Sequence, residues 1–404
     1  MSKSLTQVEF TSQLRGLVSC YFCWVQDLDL KFNRPVLVGR EREYVEEALQ
    51  STWMSGDGHF SRRVQGWMSE ELGLEALPTT SCTDALEMTA LLANVGAEDE
   101  VIVPSFTFVS TALAFAMRGC RLVFADSDPR FPHVGWAQIE PCLTPQTKVV
   151  VVVDYAGSGH DLDLIEKECA KRGLLLVEDA AQGIGARHGQ ENRRLGSFGD
   201  AATFSFHETK NLHCGEGGAL ILNRAEWKAR ASVLWEKGTN RKAFFQGLVD
   251  KYGWVDLGSS FLPNEMTMAF LLGQLERLDA VNGERLDLWS AYNRAFSSME
   301  EEGRIVRQVH PPNGDHNGHM YYVLLPSIQD RSRVISALKS EGIHPAFHYQ
   351  SLHRSRFIEE RQPGTKPPCP ESDRFSDTLL RLPLHLGMKA SDCERVSDAV
   401  YRAL

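Results

Sequence analysis

The sequence has no long uninterrupted apolar segment and no excess of basic residues. Within its 404 residues, no apolar run approaches the roughly 18 to 20 residues that are needed to span a bilayer. The formal net charge of -10 disfavours binding to a nucleic-acid backbone, because such binding depends on clustered Lys and Arg. These two absences predict a protein that acts neither in a membrane nor on nucleic acid.

A secretory leader and a paired cysteine framework are also missing from the sequence. The apolar patch at residues 17–25 is followed by Asp27 and Asp29 instead of a small-residue cleavage site. The nine cysteines are scattered, and Cys20 and Cys23 lack the second pair that a zinc site needs. We therefore expect a cytoplasmic protein with reduced thiols and without a metal ion.

Short β-rich segments alternate with amphipathic helical segments over most of the chain. The predicted strands are residues 100–104, 121–125, 148–153, 174–178 and 201–206. The predicted helices are residues 41–49, 62–72, 84–93, 110–117 and 162–172. This alternation predicts an α/β fold in which helices cover both faces of a mostly parallel sheet. In such sheets the ligand crevice lies at the carboxyl ends of the strands.

The last third of the chain predicts a smaller α+β domain. A helical pattern extends over residues 264–299, and a strand at 320–325 and a helix at 330–341 follow it. The length of the chain suits one large and one smaller domain. We expect an N-terminal extension of unknown role at 1–30, a large domain at 31–280 and a small C-terminal domain at 281–404.

Two charged side chains follow predicted strands. Asp179 comes directly after the strand at 174–178, and Lys210 follows the strand at 201–206. The carboxylate could be a metal ligand, a ribose binder or the partner of a cationic ring nitrogen. A lysine with a lowered pKa is a nucleophile towards carbonyls. Each residue also has an ordinary explanation, since a loop Lys is usually solvated and an Asp after a strand is often a helix cap. The spacing alone leaves these alternatives open.

Small hydroxyl residues directly precede another predicted helix. The segment at 79–86 reads TTSCTDAL, and its exposed N–H groups and the positive end of the helix dipole suit a phosphate. An ordinary N-cap by Ser81 or Thr83 explains the same residues and is the simpler interpretation of this turn alone. Three such elements on one sheet favour a functional site.

Several motifs follow these strand ends in a fixed order. The central motifs are 178–182 (EDAAQ), 205–211 (SFHETKN) and 215–218 (GEGG). Further motifs are 104–111 (PSFTFVST), 155–157 (YAG), 236–241 (EKGTNR) and 381–384 (RLPL). Together they resemble the DegT/DnrJ/EryC1/StrS family of sugar-nucleotide aminotransferases, and the resemblance extends from about residue 31 to the C-terminus.

The resemblance implies an aspartate-aminotransferase-like fold of type I and pyridoxal 5'-phosphate as cofactor, with pyridoxamine phosphate as its amino-carrying form. Lys210 is then the catalytic residue that holds the cofactor as a Schiff base and moves protons at the substrate carbon. Asp179 pairs with the ring nitrogen. The resemblance implies that Cys82, Thr83 and Ser205 contact the phosphate, Phe108 the ring face and Gln182 the ring hydroxyl. Asp179, Lys210 and Ser260 complete the implied cofactor contacts.

Some positions depart from the family pattern or carry weaker implications. Ser260 stands where relatives have an Asn that completes the phosphate site of the neighbouring subunit, so the resemblance implies a homodimer with shared active sites. His207, Arg241 and His348 are candidate substrate contacts. Asp154 stands where relatives usually have His, and we expect it to satisfy local hydrogen bonds.

The resemblance also implies a reaction. Segments 205–211 and 236–241 are most similar to members that make dTDP-4-amino-4,6-dideoxygalactose. The implied reaction is transfer of an amino group from L-glutamate to the 4-keto carbon of a dTDP-4-keto-6-deoxyhexose. A 3-aminotransferase, a UDP-sugar aminotransferase and a non-catalytic cofactor-binding regulatory protein are the alternatives. Lys210 argues against the dehydratases of this family, in which His replaces that lysine.

Overall fold

The computed structural model describes residues 29–245, 247–363 and 368–404. The predicted extension at 1–30 lies almost wholly outside the described residues, as do the apolar patch at 17–25, Cys20 and Cys23. None of the described helices is long and apolar enough to cross a membrane. The described cysteines are all free thiols, and the described residues contain no cluster of three or more His, Cys, Asp or Glu side chains that could hold a metal ion.

The strands group into one large sheet, one small sheet and a two-stranded ribbon. In chain order they are β1 (Ala76–Thr79), β2 (Glu100–Pro104), β3 (Arg121–Ala125), β4 (Thr147–Val153), β5 (Leu175–Asp179), β6 (Arg187–His188), β7 (Arg193–Arg194), β8 (Ala201–Ser205), β9 (Gly218–Leu222), β10 (Val306–Arg307), β11 (Tyr321–Leu324), β12 (Ala346–Phe347) and β13 (Leu379–Leu382).

The helices cover both sheets. In chain order they are α1 (Glu41–Gln50), α2 (His59–Leu72), α3 (Cys82–Leu92), α4 (Val109–Ala116), α5 (Trp136–Ile139), α6 (Leu162–Arg172), α7 (Lys228–Trp235), α8 (Arg241–Phe245), α9 (Glu265–Leu275), α10 (Leu278–Ala295), α11 (Ser297–Glu301), α12 (Ile328–Ser340), α13 (Arg356–Arg361), α14 (Pro370–Thr378) and α15 (Ala390–Ala403).

The large sheet is mostly parallel, as the sequence predicts. Its strand order is β1-β9-β8-β5-β4-β2-β3, and β3, β2, β4, β5 and β8 run parallel to one another. Strand β9 lies antiparallel between β8 and β1, and neither β1 nor β9 is among the predicted strands. In β4, Val149 and Val151 pack on one face with α3 and α4, whereas Val150 and Val152 pack on the other face with α6. Both faces are covered, which explains why these parallel strands are continuously apolar.

The helical pattern predicted at 264–299 forms three helices, not one. α9 ends at Leu275, where Arg277 adopts φ -113° and ψ 12°, and α10 begins at Leu278. α10 ends before Phe296, which adopts φ -94° and ψ 1°. The sequence could not show these breaks, because neither a proline nor a glycine marks them.

The C-terminal part of the chain builds a second, smaller layer. Its sheet has the antiparallel order β10-β11-β13-β12, and the predicted strand at 320–325 and helix at 330–341 correspond to β11 and α12. α10 connects the two cores: Leu278 and Val281 pack in the core beside the large sheet, and Leu288 and Tyr292 pack in that of the small sheet. The division near residue 280 stays a prediction.

Candidate active site

The large sheet brings the predicted polar residues to one edge. β5 ends at Asp179, which lies opposite Thr203 of the parallel neighbour β8, and Ser205 at the end of β8 lies opposite Gly218 of β9. Together with the small sheet, this edge borders a cavity of about 620 Å³. Its wall includes Phe32, Ser81, Cys82, Thr83, Thr107, Phe108, Ser110, Thr111, Asp179, Gln182, Ser205, His207, Thr209, Lys210, Glu216, His348, Tyr349 and Arg381.

Asp179 is buried and held by two hydrogen bonds. Its Oδ2 accepts a hydrogen bond from the Thr111 hydroxyl at 2.7 Å, and its Oδ1 accepts one from the Ala181 backbone N–H at 3.2 Å. Burial raises the pKa of this carboxyl group, and the two hydrogen bonds and nearby Lys210 act in the opposite direction. The carboxylate is therefore fixed in orientation and would gain stability from a second cation in the cavity.

Lys210 lies in the loop that connects β8 and β9. The loop is closed by backbone hydrogen bonds, from the Lys210 N–H to the His207 carbonyl at 2.9 Å and from the Phe206 N–H to the Gly217 carbonyl at 2.8 Å. Burial lowers the pKa of the Lys210 amine to about 8, and the positive charge of Arg381 acts in the same direction. A fraction of this amine is therefore uncharged at neutral pH, and the uncharged amine is the form that attacks a carbonyl.

The N-terminus of α3 also borders the cavity. Ser81 caps the helix by accepting a hydrogen bond from the Asp84 N–H at 3.1 Å, and the Thr83 hydroxyl is 2.8 Å from that of Ser110. The turn packs closely against β9, because a Cβ atom on Gly218 would lie only 2.4 Å from the Cys82 nitrogen. Ser81 thus fulfils the ordinary capping role, and the first turn of α3 borders the cavity with the positive end of the helix dipole.

Aromatic and amide side chains form the wall between these groups. Phe108 precedes α4, and 56% of its surface is exposed, on the cavity side. Tyr349 lies beside it with a ring-centroid distance of 5.9 Å. The Gln182 side chain accepts a hydrogen bond from the Ala156 N–H at 2.7 Å and is 3.4 Å from the Tyr349 hydroxyl. A planar ring between Phe108 and the strand ends would contact all of these groups.

The small sheet supplies the remaining wall. His348, a predicted substrate contact, is stacked on Tyr349 at 4.3 Å and is 3.2 Å from the Tyr155 hydroxyl through its Nδ1. Arg381 and Phe32 also line the cavity, but sequence reasoning assigned no role to them, to Tyr349 or to Thr111. The RLPL motif contained the signal for Arg381, since a cation stood among apolar residues of a strand.

Two predicted residues lie outside the cavity wall of their own chain. Arg241 pairs with Glu236 at 2.7 Å and covers the ring of Phe245. Ser260 is exposed and forms a β-bridge with Glu236. Their predicted roles therefore require a second subunit.

Asp154 differs from our expectation that it satisfies local hydrogen bonds. It is buried at the end of β4, and neither of its carboxyl oxygens receives a hydrogen bond from a donor among the described residues. It faces the carboxyl group of Glu178, which accepts hydrogen bonds from the Gly196 and Phe198 N–H groups. Burial and this acidic neighbour raise the pKa of Asp154 well above its usual value, so the pair shares a proton at neutral pH.

The residues around the cavity fit pyridoxal phosphate. The Lys210 amine has no hydrogen bond or ion pair within the described chain, so a carbonyl carbon can approach it. Asp179 is oriented towards the place of a ring nitrogen, and the helix start with Cys82, Thr83 and Ser205 suits a phosphate. Burial raises the pKa of the Cys82 thiol to about 12, which keeps this group uncharged beside the anion.

Comparisons with known proteins agree with this fit. The sequence profile of the DegT/DnrJ/EryC1/StrS aminotransferase family matches residues 35–401. The aminotransferase TlmJ from Streptoalloteichus hindustanus is 28% identical, with a TM-score of 0.84 over 93% of this chain and 98% of TlmJ. DesV from S. venezuelae, solved in complex with a ketimine intermediate, is also 28% identical, with a TM-score of 0.80 over 90% of this chain and 94% of DesV. Helicobacter pylori PseC, at 23% identity and a TM-score of 0.83 over 93% of this chain and 99% of PseC, shows the same fold.

The chain belongs to the DegT/DnrJ/EryC1/StrS aminotransferase family, because the family profile covers most of its length. It is a pyridoxal-phosphate-dependent aminotransferase of fold type I. The family, the fold class and the cofactor that the sequence motifs implied are thereby confirmed.

Proposed function

We propose that this aminotransferase moves an amino group from L-glutamate to the 4-keto carbon of a dTDP-4-keto-6-deoxyhexose, giving a dTDP-4-amino-4,6-dideoxyhexose of galactose configuration in the cytoplasm. The observation that carries the proposed chemistry is one cavity in which an unpaired, partly buried Lys210 lies near the buried Asp179. The 4-keto sugar is supported by the motifs at 205–211 and 236–241.

Lys210 and Asp179 divide the acid-base work in this proposal. Bound pyridoxal phosphate supplies an electron sink and carries the amino group between the two half-reactions. The Lys210 amine, with its pKa near 8, would take the proton from the donor Cα in the first half-reaction, and in the second half-reaction its protonated form would deliver a proton to the sugar C4. Asp179 keeps a proton on the ring nitrogen, because burial and its fixed hydrogen bonds leave it a strong ion-pair partner.

The other cofactor contacts hold the group in place. We assign the phosphate to Cys82, Thr83 and Ser205 at the start of α3 and the end of β8. Phe108 covers one ring face and Gln182 lies on the side of the ring hydroxyl. His207 and His348 also line the cavity, and we assign them to the sugar and the donor.

The proposal includes a homodimer with shared sites. Beside Ser260 and Arg241, the side chains of Leu248 and Trp254 are 72% and 81% exposed. An exposed apolar patch of this kind typically marks a protein interface. A second copy that covers it would bring Ser260 and Arg241 towards the cavity of the neighbouring subunit, where they could bind phosphate and substrate.

The dimer is tested by light scattering after size exclusion of wild-type protein and the Trp254→Asp variant. We expect dimeric wild-type protein, and a variant that dissociates and binds pyridoxal phosphate more weakly. Phe357→Asp, at a side chain that is 48% exposed on α13, is the matched control and should stay dimeric. Monomeric wild-type protein with full cofactor affinity would contradict the shared site.

The reaction is tested by absorbance spectroscopy of the cofactor-loaded protein. L-Glutamate should bleach the visible band of the bound cofactor in wild-type protein, and Lys210→Ala should lack that band. The glutamate-treated protein is then mixed with dTDP-4-keto-6-deoxyglucose, and the configuration of the product at C4 is read by NMR.

Each alternative gives a different result in the same series. If only a 3-keto sugar or a UDP-linked sugar is turned over, the proposed substrate is wrong and the proposed amino transfer still holds. Bound cofactor whose band no amino donor bleaches would point to a non-catalytic regulatory protein.

A further inference from the structure

Arg381 is a buried cation on the face of the small sheet that meets the cavity. It lies in β13, the second inner strand, where its backbone neighbours are Tyr322 of β11 and Ala346 of β12. Leu380 and Leu382 pack in the core of the small sheet, so alternation places Arg381 on the opposite face. Only 4% of the residue is exposed, yet its side chain lines the cavity.

The neighbours of this guanidinium are uncharged. Its Nη1 lies 3.4 Å from His348 Nε2, and its Cζ lies 4.3 Å from the ring centroid of Phe32. Burial lowers the pKa of His348 well below its usual value, so the imidazole is neutral and accepts this hydrogen bond at Nε2. The Nε of Arg381 has no hydrogen-bond partner among the described residues, and none of their carboxylates forms an ion pair with the guanidinium.

Arg381 lacks the backbone partners of another buried arginine. Arg285 is equally buried, but it donates hydrogen bonds to the carbonyls of Gly318, His319 and Leu384. Burial lowers the pKa of both groups, to about 9 for Arg285 and to about 10 for Arg381, so the two arginines differ in their hydrogen-bond partners and not in the direction of this shift. A side chain that is held in this way is prepared for an anion that arrives with a ligand.

The cofactor does not supply that anion. Its phosphate belongs at the start of α3, and its ring nitrogen belongs to Asp179. The other acidic side chain of the cavity wall, Glu216, is 71% exposed and lies 3.6 Å from His207. Arg381 therefore remains unpaired in the cofactor-loaded protein.

We propose that Arg381 binds the α-carboxylate of the amino donor, which makes it a specificity-determining residue for the first half-reaction. This inference rests on the proposed aminotransferase function. The unpaired Nε and an adjacent Nη can bind both oxygens of one planar carboxylate. The His348 bond holds the guanidinium in place, and the His348 Nδ1–H donates to the Tyr155 hydroxyl oxygen at 3.2 Å.

The position of Arg381 favours a carboxylate over a pyrophosphate. The donor carboxylate is attached to the same carbon that Lys210 deprotonates, and Arg381 lies within electrostatic reach of Lys210. In a nucleotide sugar, the pyrophosphate is attached to C1, across the ring from C4.

Rapid-mixing absorbance on the cofactor-loaded protein tests this assignment, because it separates the Kd of the donor from the rate of bleaching. Arg381→Gln should raise the Kd of L-glutamate roughly 10- to 100-fold, as the loss of a charge-assisted bidentate contact predicts, and Arg381→Lys should recover part of it. The exposed Arg354→Gln is the matched control and should bind L-glutamate like wild type. Calorimetric titration with dTDP measures binding of the nucleotide part of the substrate. The Kd of dTDP should be the same in wild-type protein and in all three variants.

A substrate series with wild-type protein provides a second test that needs no variant. L-Glutamine keeps the α-carboxylate, whereas glutamic acid α-amide replaces it with an amide and keeps the side-chain carboxylate. We expect the band to bleach with L-glutamine and not with the α-amide.

The two failures can be told apart. An unchanged L-glutamate Kd in Arg381→Gln, a selective loss of dTDP binding in that variant, or bleaching by the α-amide would overturn the role of Arg381 and leave the aminotransferase proposal standing. Wild-type protein whose band resists all amino donors would overturn both.

Discussion

The carboxyl pair of Asp154 and Glu178 gives a prediction about the pH dependence of stability. Both residues are buried, and the Glu178 carboxylate is engaged by two backbone N–H groups, from Gly196 at 2.7 Å and Phe198 at 2.8 Å. Among the described residues, neither Asp154 oxygen accepts a hydrogen bond, and burial and the Glu178 carboxyl group raise the pKa of Asp154 well above its usual value, so we infer that Asp154 is the member of the pair that holds the proton. Asp154→Asn keeps the shape and the donated hydrogen bond but does not titrate.

The sign of the effect follows from the direction of the pKa shift. In the unfolded chain, Asp154 titrates near its ordinary value of 3.8, whereas burial and Glu178 raise its pKa well above this in the folded protein. The raised pKa contributes stability that is complete below 3.8 and is lost as the pH rises through the folded value. One proton corresponds to roughly 1.4 kcal/mol per pH unit. As the pH rises from 3.8 towards the folded pKa, wild-type protein should thus lose stability relative to Asp154→Asn, with a slope of at most roughly 1.4 kcal/mol per pH unit.

Urea unfolding of the cofactor-free proteins, followed by tryptophan fluorescence at several pH values and one protein concentration, measures this difference. Titrating groups away from the pair are common to both proteins and cancel in the comparison, whereas Glu178 interacts with Asp154, so the difference reports the titration of the pair. The variant Asp398→Asn, at an exposed position of α15, controls for the removal of a carboxyl group and should follow wild type. Parallel pH profiles of Asp154→Asn and wild type would mean that Asp154 is ionised in the folded protein, and the reasoning would be wrong.

Three further variants test the site and its support. Asp179→Asn should retain bound cofactor but lower kcat roughly 100- to 1000-fold, because an amide cannot stabilise a protonated ring nitrogen. An unchanged kcat in steady-state kinetics would refute the pairing of Asp179 with the ring nitrogen. Gly218→Ala would place a Cβ atom 2.4 Å from the Cys82 nitrogen. Urea unfolding should show a free energy of unfolding that is lower by roughly 1 to 3 kcal/mol, and cofactor titration should show weaker binding. Glu265 caps the start of α2, because it accepts hydrogen bonds from the Gly58 and Phe60 N–H groups at 3.0 and 2.6 Å. Glu265→Ala should therefore lower the free energy of unfolding by roughly 2 to 4 kcal/mol. An unchanged urea midpoint would rule out this capping role.

The sequence predicts the parallel part of the large sheet well because those strands are buried on both faces. The apolar run at 148–153 is the clearest case, and β4 occupies Thr147–Val153. The sequence analysis misses β1, which has only four residues, and it misses β9, which begins at a glycine that marks close packing on α3. The helix breaks near Arg277 and Phe296 depend on packing between the two cores and leave no local signal.

The cofactor side of the site is more predictable than the substrate side for a physical reason. Asp179, Ser205 and Lys210 follow strands of one parallel sheet, so local sequence and sheet topology are enough to bring them together. The substrate wall joins Phe32, Arg381 and the segment at 348–349 from distant parts of the chain. Such contacts depend on how the small sheet packs against the large one, which periodicity cannot show. Ser260 and Arg241 depend on a second chain and stay predictions.

Three charged groups of the site are costly for the fold. Burial lowers the pKa of Lys210 and Arg381 and raises that of Asp179, so each is less stable in its charged form than it would be in water. A sequence selected for stability alone would replace Arg381 by an apolar residue of similar length. Arg381→Met should accordingly raise the urea midpoint of the cofactor-free protein while weakening L-glutamate binding in the loaded one. A lower midpoint in this variant would show that Arg381 stabilises the fold, and the assignment of its charge to the donor would lose its physical basis.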